Sequence, residues 1–273
     1  MIPLAEIRAA RERIAGAAIR TPLVRLNVDD APAEIYLKLE CLQPIGSFKI
    51  RGASNRMALA TKIAAIERLG GRVVAVAHDE WFDTFRTRRR EGIEGLFVHA
   101  FSDDAVMAGN GTIGLEILED LPDVDVVVVP FGGGGLASGI ASALRALRPA
   151  TKVFAAEVAT SAPLSASLAK GEATSIEHVR SFVDGIGGPR VFPEMFALAR
   201  ELLDGALVSS LAEVAAAVRT LVERNRVVAE GAGAASVAAA VAGRAGRGKV
   251  VCVVSGGNID TAALRAILDG AVP

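Results

Sequence analysis

A lysine at position 49 stands where a reactive amine could be held at the start of a helix. The segment Leu37–Asn55 (LKLECLQPIGSFKIRGASN) predicts a strand, a loop over Pro44–Ser47 and a helix from about Phe48. Lys49 then lies in the first helical turn, where positive charge is unfavourable beside the helix dipole. Such a lysine either extends into water or serves as a Schiff-base amine. Taken alone, the segment favours the solvated lysine.

Four consecutive glycines suggest a site for an anion. Val129–Gly139 (VPFGGGGLASG) predicts a strand, a glycine turn over residues 132–135 and a helix. Glycine lets backbone amides approach an anion closely, and the amino end of a helix adds a favourable dipole. The turn matches neither GxGxxG nor a P-loop, because Leu136 and Ala137 follow the glycines. A plain tight turn is the alternative, and we favour a phosphate cradle.

A serine ends the last apolar strand of the sequence. Val250–Asp260 (VVCVVSGGNID) predicts a buried strand followed by Ser255 and a Gly-Gly-Asn turn. Ligands of α/β sheets bind at the carboxyl ends of the strands, so Ser255 could hydrogen-bond a ligand there. As an isolated signal this is weak, because Ser-Gly-Gly also opens ordinary loops.

Alternating strands and helices would position these three segments. Valine-rich runs without polar alternation predict strands that are covered on both faces. We expect strands at Val73–Ala77, Val124–Val129, Val153–Ala156 and Lys249–Ser255, and helices at Leu136–Leu147 and Ser210–Arg226. Ser210 and Glu213 have the spacing of a capping box. Strand followed by helix, repeated, indicates an α/β fold with right-handed crossovers.

Composition excludes several classes of function. The 273 residues carry a net charge of −1, which favours neither nucleic acid nor an anionic membrane as a partner. The two cysteines lack the spacing of a zinc site, so a reducing cytosol is expected. No apolar run is long enough to span a membrane, and the charged amino terminus is unlike a signal peptide. The three histidines are expected on the surface or in loops.

Taken together, the three segments resemble a known family. GSFKIRGA, GGGGL and SGGN, in that order, are similar to the serine/threonine dehydratases of pyridoxal-phosphate (PLP) fold type II. That family includes threonine deaminases, serine dehydratases and serine racemase. The similarity runs along most of the chain and includes GNGTIGLE at residues 109–116 and EGAGA at residues 230–234.

The resemblance implies an architecture. We expect an α/β fold like that of the tryptophan synthase β subunit, with two three-layer α/β domains and mostly parallel sheets. Residues 1–40 plus 112–273 would form the large PLP-binding domain, and residues 41–111 a shortened small domain. The resemblance also implies a cytoplasmic homodimer that acts on a small hydroxy amino acid.

The resemblance also implies roles for individual residues. Lys49 matches the lysine that holds the cofactor pyridoxal 5'-phosphate and later moves the α-proton. Phe48 matches a residue that packs on the pyridine ring, and Ser255 one that faces the ring nitrogen. Gly185 matches a loop glycine beside the cofactor, and Glu230 an acidic residue behind the ring. The phosphate loop is matched by Gly132, Gly133, Gly134, Gly135 and Leu136.

The implied activity is β-elimination from L-threonine or L-serine, which releases a 2-oxo acid and ammonia. A neutral serine at the ring nitrogen favours this elimination over transamination. Two alternatives stay open. One is another reaction of the same fold type, such as racemisation or elimination from a different 3-hydroxy amino acid. The other is a relative that binds PLP without turnover.

The chain departs from the family at two places. The SxGNH-like loop after the lysine helix is absent, and the junction at Ala60 and Thr61 is where a segment is missing. Natural shortening, an engineered deletion and omission of a mobile segment from the sequence are the three explanations. Glu157 and Ser161 match two ligands of a divalent cation in serine racemase-like relatives, but Pro163 stands at the third position. We therefore expect no metal, and a structural or water-binding role for Glu157.

Overall fold

A six-stranded sheet organises the part of the chain that a computed structural model describes, residues 1–59, 84–85, 87–89, 92 and 97–273. The strand order is β1-β2-β6-β3-β4-β5. Strand β1 runs antiparallel to β2, and the other neighbouring pairs are parallel. The strands are β1 (Leu23–Arg25), β2 (Glu34–Lys38), β3 (Val126–Pro130), β4 (Lys152–Val158), β5 (Gly205–Ser209) and β6 (Lys249–Val253).

Helices cover both faces of this sheet. They are α1 (Leu4–Arg13), α2 (Lys49–Leu59), α3 (Asp104–Asp120), α4 (Gly135–Leu147), α5 (Pro163–Lys170), α6 (Pro193–Leu202), α7 (Leu211–Thr220), α8 (Gly231–Val241) and α9 (Thr261–Leu268). Two short 3-10 turns, Glu40–Leu42 and Asp184–Ile186, follow β2 and precede α6. Within the described ranges, no helix is both long and apolar enough to cross a bilayer.

The two faces of the sheet carry separate apolar cores. Val126 and Val128 of β3 point to one core, which α7 and α8 complete. Val127 and Val129 point to the other, where α3, α4 and α6 pack. Successive side chains of a strand point to opposite faces, so a strand covered on both sides must be apolar throughout. This explains the valine runs of the sequence and confirms the α/β class with a mostly parallel sheet.

Most of the expected elements appear within a few residues of their predicted bounds. The strands predicted at 124–129, 153–156 and 249–255 correspond to β3, β4 and β6, and the helix at 136–147 to α4. Ser210 caps α7 with Glu213 in the predicted capping box. The strand predicted at Val73–Ala77 and the junction at 60/61 lie outside the described residues. The division into two domains stays a prediction.

One helix ends differently from the prediction. The helix expected to continue to Arg226 is α-helical only to Thr220 and widens into a π turn over Leu221–Asn225. The side chain of Asn225 accepts the backbone N–H of Asn27 at 3.0 Å and donates to the carbonyl of Arg25 at 3.1 Å. This contact fixes the end of the helix against β1, and helical periodicity could not reveal it.

Candidate active site

The candidate site lies where two adjacent strands of the sheet end. Strands β3 and β6 are parallel neighbours, and Gly132 and Ser255 follow their carboxyl ends. The chain leaves β3 toward β4 on one side, whereas β2 flanks β6 on the other. Such a switch point leaves a crevice in which α/β proteins bind ligands. Here the crevice is a cavity of about 310 Å³.

Backbone hydrogen bonds join the Lys49 segment to the end of β6. The N–H of Phe48 donates to the carbonyl of Ser255 at 3.0 Å, and the N–H of Gly257 to that of Gly46 at 2.9 Å. Gly46 has a positive φ of 74°, which a residue with a side chain rarely adopts. The loop and the strand end are thereby held together, and Lys49 lines the cavity beside Ser255.

A buried ion network lies directly behind the first turn of α2. Arg51 pairs with Glu40 at 2.8 Å and with Glu116 at 2.7 Å, and Lys38 donates to Glu116 at 2.6 Å. Burial opposes the charge of Arg51, but the hydrogen bonds and charges of the two glutamates outweigh it and raise the pKa of Arg51. The network fixes α2 two residues from Lys49.

The last three glycines of the turn, Gly133, Gly134 and Gly135, leave no room for a side chain. Gly134 adopts a left-handed conformation with φ 90°, and within the described residues no side chain caps α4, which begins at Gly135. A Cβ at Gly133 would lie 2.1 Å from Cγ of Phe101, and one at Gly135 would lie 2.6 Å from Cα of Phe101. Among the described residues, the first backbone N–H groups of α4 therefore have no side-chain acceptor. Such N–H groups suit an anion such as phosphate.

An acidic side chain stands close to Lys49. The backbone N–H of Glu230 donates to the carbonyl of Gly256 at 3.0 Å, just before α8. A Cβ at Gly256 would lie 2.3 Å from Oε1 of Glu230. Burial raises the pKa of the Glu230 carboxyl, and the charge of Asp184 adds to this while that of Lys49 opposes it. The charge of Lys49 therefore acts on the Glu230 carboxyl.

All the residues predicted for the site line this one cavity. They are Phe48, Lys49, Gly132, Gly133, Gly134, Gly135, Leu136, Gly185, Glu230 and Ser255. Their chemical roles stay predictions. Sequence reasoning missed other lining residues, and five with larger or charged side chains are Phe85, Phe101, Asp184, Arg190 and Phe192. Their places depend on tertiary packing, and of the five only Asp184 had a signal, since it adjoins Gly185.

His99 lies in a loop, as expected of the histidines, but its side chain is buried. It is 1% exposed, and its Nδ1 accepts the backbone N–H groups of Ser102 at 2.9 Å and Phe101 at 3.3 Å. Burial, with the charge of Arg88 adding to it, lowers the pKa of His99 to about 4. The neutral imidazole thus holds the backbone of residues 99–102, and Phe101 in this segment packs against the glycine turn. His78 lies outside the described residues.

Glu157 has a structural role in the described part of the chain. Its Oε1 accepts the N–H of Leu164 at 2.8 Å, and its Oε2 accepts the N–H and hydroxyl of Ser165 at 2.8 and 2.7 Å. The carboxylate thus caps the first turn of α5, and burial raises its pKa. Across the described residues, no three His, Cys, Asp or Glu side chains cluster as metal ligands would.

The residues around the cavity fit pyridoxal phosphate. The cavity is lined by the amine of Lys49, by the glycine turn at the uncapped start of α4 and by Ser255 at the end of β6. The amine suits the aldehyde of the cofactor, the helix start suits its phosphate, and the serine suits its ring nitrogen. The family model described as pyridoxal-phosphate dependent enzyme matches residues 56–256. The chain therefore belongs to the pyridoxal-phosphate dependent enzymes, and its cofactor is pyridoxal 5'-phosphate.

Similar proteins narrow the family further. An L-threonine ammonia-lyase of Thermotoga maritima is 36% identical over 316 positions, which cover 98% of this chain and 79% of that protein. The catabolic L-threonine dehydratase TdcB of Escherichia coli is 32% identical, and the match covers 95% of this chain and 94% of that protein. Within the family, the chain thus belongs to the serine/threonine dehydratase group of fold type II.

Solved structures agree with this placement. Maize serine racemase superposes with a TM-score of 0.82 at 26% identity and covers 96% of both chains. The processed threonine deaminase isoform 2 of Solanum lycopersicum gives a TM-score of 0.83 at 27% identity, with 97% of this chain and 86% of that chain covered. The alignment with the Thermotoga protein is longer than the 273 residues of this chain, so that relative has residues that this chain lacks.

Proposed function

We propose that this enzyme is an ammonia-lyase that converts L-threonine or L-serine to the 2-oxo acid and ammonia by β-elimination. The observation that carries the proposal is the cavity at the ends of β3 and β6, lined by Lys49, the glycine turn and Ser255. Support comes from relatives that are named L-threonine ammonia-lyase and L-threonine dehydratase.

Lys49 has two tasks in this proposal. Its Nζ would hold the cofactor through the aldehyde, and as a free amine the same Nζ would accept the proton from Cα of the substrate. When bound, the cofactor supplies a conjugated ring that takes up the electrons left when the Cα–H bond breaks. Loss of the β-hydroxyl as water, followed by hydrolysis, yields the 2-oxo acid and ammonia.

The other lining residues hold and tune the reacting groups. The backbone amides of residues 132–136 would bind the phosphate, and Phe48 would pack against the ring. The hydroxyl of Ser255 would hydrogen-bond the ring nitrogen without bringing a negative charge to it. Glu230, near Gly185, would keep an acidic group within electrostatic range of Lys49 when the cofactor is bound.

The proposal is tested on purified protein loaded with PLP. We expect L-threonine and L-serine to release 2-oxo acid, and borohydride reduction followed by peptide mapping to find the cofactor on Lys49. Lys49→Ala should abolish both, whereas Lys170→Ala, on the exposed end of α5, should change neither. Cofactor fixed to another lysine, or no 2-oxo acid from any hydroxy amino acid, would reject the proposal.

A second activity is separable by product analysis. Structural neighbours include serine racemase, so chiral chromatography of the remaining amino acid measures racemisation beside elimination. We propose elimination as the main reaction because the named sequence relatives are lyases. We also propose a homodimer in the cytoplasm that acts on a small-molecule substrate rather than on nucleic acid or membranes. Light scattering on the purified protein tests the oligomer.

A further inference from the structure

Phe101 occupies the space that side chains on the glycine turn would take. A Cβ at Gly133 would lie 2.1 to 2.5 Å from Cγ, Cδ1 and Cδ2 of Phe101. A Cβ at Gly135 would lie 2.6 Å from both Cα and the carbonyl oxygen of Phe101. A positive φ requires glycine at position 134 but not at these two positions. The close approach of Phe101 is therefore a separate reason for glycine at 133 and 135.

We propose that Phe101 shields the phosphate of PLP from water and that His99 is the residue that positions Phe101. This inference rests on the phosphate site at residues 132–136 in the proposed function. Water competes with a phosphate for the backbone N–H groups of such a turn. An apolar ring beside the turn offers no competing acceptor, and by excluding water it strengthens the hydrogen bonds to the anion.

His99 holds both the backbone and the ring of Phe101. Its Nδ1 accepts the N–H of Phe101 at 3.3 Å and the N–H of Ser102 at 2.9 Å. The imidazole also meets the ring of Phe101 edge to face, with centroids 4.5 Å apart and planes at 87°. Because His99 is buried, little water reaches it to compete for Nδ1. Loss of this one acceptor should therefore loosen Phe101 from the glycine turn.

Two further rings restrict the orientation of Phe101. Phe85 stacks on it with centroids 5.7 Å apart and planes at 15°, and Phe192 meets it edge to face at 5.3 Å and 66°. Phe85, Phe101 and Phe192 all line the cavity. Stacked and edge-to-face pairs favour particular ring positions. The ring of Phe101 is thus placed beside the glycine turn before the cofactor arrives.

The chain that follows Phe101 is anchored as well. The hydroxyl of Ser102 donates to Glu194 in the first turn of α6 at 3.2 Å. Asp103 then caps α3, and its side chain accepts two of the first N–H groups of that helix. Helices α3 and α6 belong to the same core as α4, which the glycine turn begins. These bonds keep residues 99–103 fixed relative to the turn.

The test compares PLP with pyridoxal, which has the same ring and aldehyde but no phosphate. Phe101→Ala should weaken the binding of PLP to apoenzyme by about 3- to 10-fold and that of pyridoxal by less than about twofold. Phe101→Leu keeps an apolar cover and should recover most of the loss. Phe154→Ala removes a partly buried ring beside Gly205 on the far core and is the matched control. In a Gly133→Ala background the added methyl group fills part of the vacated space, so removal of the ring there relieves the overlap.

The positioning role of His99 is tested through its coupling to Phe101. His99→Leu removes the acceptor, and it should weaken PLP binding about as much as Phe101→Ala does. The double variant should bind PLP no more weakly than the weaker single variant, because both changes remove the same shield. His99→Asn keeps an oxygen acceptor near the place of Nδ1 and should recover part of the affinity. Fully additive losses would show that His99 does not act through Phe101.

The outcomes separate failure of this inference from failure of the proposed function. Unchanged PLP affinity in Phe101→Ala, or equal losses for PLP and pyridoxal, would overturn the shielding of the phosphate. Tighter PLP binding by Phe101→Ala would overturn it too, since the ring would then stand in the place of the phosphate. Unaltered holoenzyme that binds PLP but releases no 2-oxo acid would reject only the lyase reaction.

Discussion

Arg51 and Glu40 form a two-point ion pair in the interior, with Nε 2.8 Å from Oε2 and Nη2 2.9 Å from Oε1. Arg51 also donates to Glu116, which Lys38 contacts as well, so two buried cations face two buried carboxylates. Arg51→Met leaves both without that partner, and we expect the free energy of unfolding to fall by about 3–5 kcal/mol. Urea denaturation followed by circular dichroism measures this loss.

An exposed ion pair provides the control for this prediction. Arg265 and Asp269 approach to 3.7 Å on the outer face of α9, and both side chains are largely solvent-exposed. Arg265→Met should lower the free energy of unfolding by less than about 1 kcal/mol, since water screens such pairs. If Arg51→Met were as mild as Arg265→Met, the buried network would not stabilise α2.

The pH dependence of stability should report on His99. Its pKa is lowered to about 4, chiefly by burial, whereas an unfolded histidine titrates near 6.5. The unfolded chain therefore takes up the proton first, and stability is lost as the pH falls from about 6.5 to about 4. Each pKa unit corresponds to about 1.4 kcal/mol, so we expect a loss of up to about 3 kcal/mol.

The variant His99→Gln isolates this contribution. It has no imidazole to titrate, so the difference in unfolding free energy between the two proteins should change over the same pH range and stay constant above it. A constant difference from pH 7 to pH 4 would show that His99 does not titrate as proposed. Urea melts at half-unit pH steps provide the measurement.

The glycine turn offers a steric prediction. Because a Cβ at Gly133 would overlap the ring of Phe101, Gly133→Ala should displace that ring or the turn. Overpacking of this kind costs about 1–3 kcal/mol, so PLP affinity should fall about 5- to 100-fold. Fluorescence titration of apoenzyme with PLP measures the affinity. Adding Phe101→Ala should recover part of it, and a double variant as weak as the single one would mean that the overlap is not the cause.

The raised pKa of Glu230 predicts a pH effect on the free energy of unfolding that is opposite in sign to that of His99. Its pKa is raised by burial, so the folded protein keeps the proton to higher pH than the unfolded chain does. Ionisation of Glu230 therefore costs stability as the pH rises above the ordinary carboxyl pKa of about 4.3. Relative to the parent protein, Glu230→Gln should gain stability as the pH rises from about 4 to 7, and a gain that is constant over this range would contradict the raised pKa.

The sequence alone predicted the parts of the site that have a local signature. The glycine turn and the serine at the end of β6 each show in a short segment, because strand patterning and turn chemistry are local. The buried partners of Arg51 do not, since Glu40 and Glu116 are 11 and 65 residues away from it. Charged residues usually lie at the surface, and only tertiary pairing reveals them as interior. Phe101 and Arg190 also line the cavity through tertiary packing, which no local pattern in the sequence shows.

The order of strands in the sheet sets a limit on when this enzyme can acquire its cofactor. Strand β6 lies between β2 and β3, yet it leaves the ribosome after the other five strands of this sheet. The Lys49 segment takes its backbone partners from residues 255–257. A nascent chain that stops short of residue 257 has Lys49 and the glycine turn but lacks the residues after β6 that lie beside both. We therefore expect that such a chain cannot retain PLP. Loading with the vitamin-derived cofactor should therefore follow the synthesis of residue 257.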